Sequence, residues 1–176
     1  MSLLRFLGLD NDPAEKKTDG RGETDTVRRI ASQLERLDAE TAKYLAAFAY
    51  VLARVANADL EIDDAETEAM ARAIRGLASL SDGEVSLVVE IAKSQARLLG
   101  GTENYVVTRE FRRMTTAQQR GELLQCLYAV AAADGTISGY ESSELVKIGE
   151  ELGFTRAEAN SLRSQYRDKL AEFQTK

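Results

Sequence analysis

The sequence predicts an all-α fold: a single helical domain of about seven to eight helices, built from two pseudo-repeated helix–turn–helix units. Three observations predict it. One proline interrupts 176 residues, and proline is the residue a helix interior tolerates least. No run alternates apolar and polar residues with period two for long enough to make a strand. Five of the expected helices open on Ser, Thr or Asp three residues before Glu or Gln, the capping-box pattern in which each side chain satisfies an otherwise unpaired backbone N–H.

Taken in order, residues 1–9 (MSLLRFLGL) are apolar but lack a basic n-region and a small-residue cleavage site, so they do not read as a signal peptide. Residues 10–25 (DNDPAEKKTDGRGETD) carry Ala14 as their one apolar side chain. Such a stretch buries too little surface to offset its ordering entropy, so residues 1–25 are expected to be a flexible N-terminal segment and 26–176 the helical domain. The first helix is expected over 26–36. Asp38 caps a second over 39–57, whose apolar residues Leu45, Phe48, Ala49, Leu52, Val55 and Ala56 keep helical spacing. Capping boxes at Asp63–Glu66, Ser81–Glu84, Thr116–Gln119, Ser138–Glu141 and Thr155–Glu158 open helices at 64–77, 82–98, 117–132, 139–151 and 156–173, with a further helix over 103–113. Gly76, Gly100, Gly101 and Gly153 fall where helices should stop.

Composition removes most familiar chemistry. The chain has no histidine, which excludes Ser-His-Asp and Cys-His catalysis and every His metal site. Its single cysteine, Cys126, cannot form an internal disulfide or a Cys-based zinc site. Cys126 lies one helical turn from Leu123 and from Val130, so it reads as a small core hydrophobe. With 23 basic and 29 acidic residues the net charge is −6, and an acidic domain repels phosphate backbones unless its positive charge is concentrated. Arg109, Arg112, Arg113 and Arg120 are the nearest approach to a basic patch and read as the solvated end of a helix. Nucleic acid is not expected as a partner, no segment reaches the ~20 apolar residues of a membrane span, and the cytoplasm is the expected location.

Two segments repeat at a separation of 75 positions. Leu52, Val55, Ala56, Ala58, Asp59, Ile62, Glu66 and Leu77 recur as Leu127, Val130, Ala131, Ala133, Asp134, Ile137, Glu141 and Leu152. The repeated turn reads ADLEIDDAE from Ala58 to Glu66 and ADGTISGYE from Ala133 to Glu141. With Leu152-Gly153-Phe154-Thr155 leading into the last helix, this pair of A-x-A-D-G-x-I-x-x-x-E turns resembles the TerB-like tellurite-resistance proteins over roughly residues 41–170. The same module occurs as an accessory domain in some membrane-anchored J-domain co-chaperones. A J-domain itself is excluded here, because its His-Pro-Asp tripeptide needs a histidine. The first turn departs from the pattern, with Leu60 where the second has Gly135. A left-handed conformation there would cost Leu ~1 kcal/mol.

The acidic turn residues have two readings. Asp134, Gly135, Ile137, Ser138 and Glu141 match the second half of an EF-hand loop, but the positions of its first ligands fall on Val130 and Ala132, and in the first copy on Val55 and Asn57. A true EF-hand is excluded. In the structural reading the Asp accepts turn N–H groups, the Ile fills the core and the Glu closes a capping box. In the other, which the family resemblance implies, Asp59, Asp63, Glu66, Asp134 and Glu141 are ligands for a divalent cation. Six acids stand in the ten positions 59–68, and an oxygen-only set suits Ca²⁺, Mg²⁺ or Mn²⁺.

The resemblance implies a non-enzymatic stress-response binding protein acting beside membrane-associated tellurite-resistance proteins. The alternative is a metal-independent helical adaptor for protein partners, for which Tyr105, Val106, Phe111 and Met114 offer an apolar face. Paired carboxylates such as Asp63 and Glu66 could do acid–base work, but no nucleophile, phosphate loop or cofactor fingerprint accompanies them.

Overall fold

A computed structural model describes residues 21–56, 64–96 and 104–174 of the chain. Eight α-helices follow one another among the described residues: α1 (Arg21–Glu35), α2 (Ala39–Ala56), α3 (Asp64–Leu77), α4 (Asp82–Ala96), α5 (Asn104–Met114), α6 (Ala117–Ala131), α7 (Gly139–Glu151) and α8 (Arg156–Gln165). The all-α expectation holds, and the helix bounds lie close to those read from the capping pattern. Helix α1 starts five residues earlier than expected, at Arg21. Gly76 does not stop α3, which runs on to Leu77.

The local signals act as the sequence implies. Asp38 Oδ1 accepts the Thr41 N–H at 2.9 Å and opens α2. Full capping boxes open α6 from Thr116, α7 from Ser138 and α8 from Thr155. At α4, Ser81 and Glu84 exchange the same pair of bonds. Asp63, the expected cap of α3, lies outside the described residues. Helix α7 ends in a Schellman motif: Phe154 N–H donates to Gly149 O, Gly153 N–H donates to Glu150 O, and Gly153 takes φ +94°.

Helix α2 is the hub. Every residue from Leu45 to Val55 is buried, so the helix is covered on all sides, as a helix apolar all round must be. It packs against α4 most extensively, then against α5 and α6, and touches α1 and α7. Alanines at 46, 47, 49 and 53, none of them exposed, let the neighbouring helices approach closely. An aromatic cluster closes one end, with Tyr44 stacked on Phe111 at 5.6 Å and Phe48 edge-on to both.

One expected element is shorter. The helix expected over 156–173 stops at Gln165, and two 3₁₀ turns follow, Arg167–Lys169 and Ala171–Phe173. The reason is tertiary: the chain doubles back so that Leu170 forms a parallel bridge with Ile137 and both side chains enter the core. The turn of the first expected repeat unit, residues 57–63, lies outside the described residues.

Candidate functional site: the second acidic turn and its clamp

The turn between α6 and α7 is built residue by residue. Asp134 Oδ1 accepts the Thr136 N–H at 2.9 Å, an Asx turn. Gly135 follows with φ +99°, the left-handed region that glycine enters without a Cβ penalty. Ile137 is fully buried. Ser138 N–H donates to Glu141 Oε2 at 2.8 Å, and Glu141 N–H donates to Ser138 Oγ at 3.2 Å.

Residues 166–174 clamp this turn from outside. Ile137 N–H donates to Lys169 O at 2.6 Å, and Ala171 N–H donates to Ile137 O at 2.9 Å. The Gln174 amide donates to Gly135 O at 2.9 Å and to Asp168 O at 3.1 Å, while the Thr136 hydroxyl donates to Gln174 Oε1. Arg163 in α8 pairs with Glu172 and donates to Ser142 Oγ. Tyr166 stacks on the buried Tyr128 ring at 5.3 Å.

The five residues expected as metal ligands fare differently. Asp134 and Glu141 sit in one turn, each with a carboxylate oxygen already accepting a backbone N–H. Glu66 is exposed on the first turn of α3. Asp59 and Asp63 lie outside the described residues. Among the described residues no three His, Cys, Asp or Glu side chains converge as a metal would require. Two of the turn's other oxygens, the backbone carbonyls of Gly135 and Ile137, accept bonds from the clamp. In the second turn the donor set is therefore that of a capped, clamped turn.

The expected apolar face on α5 divides. Phe111 is fully buried and Met114 half-buried, whereas Tyr105 and Val106 are exposed. The arginines do end a helix: Arg120 donates to the Arg112 and Thr115 carbonyls at 3.1 and 2.9 Å, and the Arg112 guanidinium lies against Gly153. Cys126 is fully buried, and burial, followed by the charge of Glu122, pushes its thiol up to about 12.

Sequence reasoning passed over Arg54. It is the one charged residue between Tyr44 and Ala56, and that isolation was the available signal. Its side chain is 2% exposed. Nη1 donates to Thr108 Oγ1 at 2.6 Å and to Glu151 Oε2 at 2.7 Å, and Nη2 donates to Glu144 Oε1 at 2.5 Å. Burial opposes the charge, but the bonds to Glu151 and Glu144 outweigh it and hold the guanidinium above its ordinary value. The cluster ties α2 to α5 and α7.

No helix among the described residues is long and apolar enough to cross a membrane. Compared with known proteins, the chain matches no curated protein and no solved structure. It does match the family described as Tellurite resistance protein TerB, over residues 44–164. That span runs from the second turn of the hub helix through both acidic turns to the last turn of α8, and it includes the Asx turn, the capping boxes and the Schellman turn before α8. The chain belongs to the TerB family.

Proposed function

We propose that this chain is a non-enzymatic binding module of the tellurite-resistance type that works through protein contacts, and that its second acidic turn is a structural element rather than an ion site. The observation that carries the reading is the set of hydrogen bonds at that turn. The Asp134 and Glu141 carboxylates each cap backbone N–H groups, and the Gly135 and Ile137 carbonyls accept from residues 171 and 174. Each acid has a sufficient local task. The family match supports action alongside other tellurite-resistance proteins.

The test is a set of thermal melts in EDTA and in millimolar Ca²⁺, Mg²⁺ or Mn²⁺. Identical midpoints are expected for the wild-type chain in all four buffers. Asp134→Asn with Glu141→Gln should keep these bonds and melt near wild type, because Asn forms the same Asx turn and Gln can close a capping box. An ion that binds the folded chain would raise stability by ~2.7 kcal/mol at a hundredfold excess over its dissociation constant. A rise of that kind, abolished by the double substitution, would overturn the structural reading of the second turn. The same pair of changes at Asp59 and Glu66 asks the question of the first.

A further inference from the structure

The clamp over the second turn has the make-up of a bound peptide. Leu170, the one extended residue between the two 3₁₀ turns, bridges Ile137 in parallel register, and its neighbours Lys169 and Ala171 exchange two backbone hydrogen bonds with that residue. Leu170 inserts as the single fully buried side chain of the segment, and Glu172 reaches the Arg163 guanidinium. Extended-segment recognition elsewhere uses the same division: main-chain bonds to an edge, one apolar anchor, and one charge pair that sets register. Two further observations separate seat from occupant. The seat, formed by Gly135, Thr136, Ile137 and Arg163, lies within the family-matched residues 44–164, whereas the occupant lies wholly beyond them. The occupant also leaves room. Between it and α8 runs a cleft of about 300 Å³, lined by Asn160, Arg163, Ser164, Arg167, Leu170 and Phe173.

We propose that the second turn and α8 form a docking groove for a peptide carrying a leucine followed two residues later by a carboxylate, and that residues 167–174 occupy this groove in cis as an exchangeable stand-in. A partner segment of that pattern seats its leucine where Leu170 sits, pairs its backbone with Ile137 and places its acid on Arg163. The cis segment sets a threshold for the partner, because a tethered occupant competes at an effective concentration that reaches millimolar for a short tether. The proposal rests on the reading of the chain as a protein-binding module, and it adds the place and the chemistry of the partner.

The experiment uses the full chain and a fluorescein-labelled synthetic peptide of sequence RDKLAEFQTK, residues 167–176, followed by fluorescence anisotropy. The peptide should bind the Leu170→Asp chain at least tenfold more tightly than wild type, since the Asp cannot occupy the apolar seat. A peptide with the same Leu→Asp change should bind neither. A folded Leu170→Asp chain, judged by far-UV circular dichroism, that gains no affinity over wild type overturns the proposal, as does binding indifferent to the peptide's leucine. If Leu170→Asp fails to fold, the double variant Glu172→Ala, Gln174→Ala takes its place, since both side chains are exposed. Hydrogen exchange of the Ile137 amide should then speed up at least tenfold while Leu145 in α7 keeps its protection. Unchanged exchange at Ile137, or loss at both sites together, overturns the proposal. None of these readouts involves a metal ion, so their failure is distinct from an ion-dependent melt.

Discussion

Replacing Arg54 with Met tests whether the buried ion cluster holds α2 to α5 and α7. Methionine keeps most of the aliphatic stem and removes the guanidinium. Glu151 is then left with a side chain 7% exposed and no cation beside it, and Glu144 with one 20% exposed. Removing one partner of a buried pair typically costs ~3–5 kcal/mol, because the remaining charge stays desolvated. Water reaching Glu144 relieves part of that, which places the expected loss at ~3–4 kcal/mol. At roughly 2–4 °C per kcal/mol for a domain of this size, the midpoint should fall by about 6–16 °C. Thermal and urea melts followed by far-UV circular dichroism measure it. Glu144→Gln, at the wetter position, should cost less than Glu151→Gln. The triple change Arg54→Met, Glu144→Gln, Glu151→Leu should recover most of the loss, since no charge is then left unpaired in the interior. The reasoning fails if Arg54→Met melts within about 2 °C of wild type, or if the triple variant is no more stable than the single one.

Other expectations follow from single positions. Gly135→Ala should cost ~1 kcal/mol through its positive φ alone, because an added Cβ meets nothing within 4 Å. Gly76→Ala meets nothing either, but lies in α3, and should stabilise by ~0.5–1 kcal/mol, so urea melts of the two should shift in opposite directions. Cys126 should resist alkylation at pH 8 in the native chain and react at least a hundredfold faster in denaturing urea, as a buried thiol does. Its thiol rises from 9.0 to about 12 and the Tyr128 phenol from 10.0 to about 12, both chiefly by burial. Both groups are neutral when protonated, so folding favours the proton. Their contribution is complete below pH 9 and is lost between about pH 9 and 12. Midpoints should therefore fall between pH 8 and 11, and by less in Cys126→Ala than in wild type, after allowing for that variant's lower starting stability.

Most of the helix pattern was legible because its signals are local. A capping box is satisfied within four residues, so Thr116–Gln119, Ser138–Glu141 and Thr155–Glu158 could be read without knowing what packs where. The breaks in legibility are all long-range. Nothing near Tyr166 ends α8. The helix ends there because Leu170 is wanted at Ile137, more than thirty residues earlier in the chain. Arg54 went unread because its partners stand 54, 90 and 97 positions away. The acids of the second turn could be read as caps from the sequence alone, whereas the clamp that takes the turn's carbonyls depended on a tertiary contact.

The enclosure of α2 governs how the domain assembles. Its apolar surface cannot leave water until helices far downstream have arrived: α4 some forty residues on, then α5 and α6 at about sixty and seventy-five. Neither sequence repeat can therefore mature alone, since the first would hold a bare alanine-rich helix and the second would lack its centre. The barrier to folding should include closure of those long loops, whose entropy must be spent before the contacts that reward it exist. The domain should consequently unfold in one cooperative transition, with circular dichroism and near-ultraviolet tyrosine signals lost together. Cutting the chain between α4 and α5 should give two fragments that are each unstructured alone and regain helix when mixed.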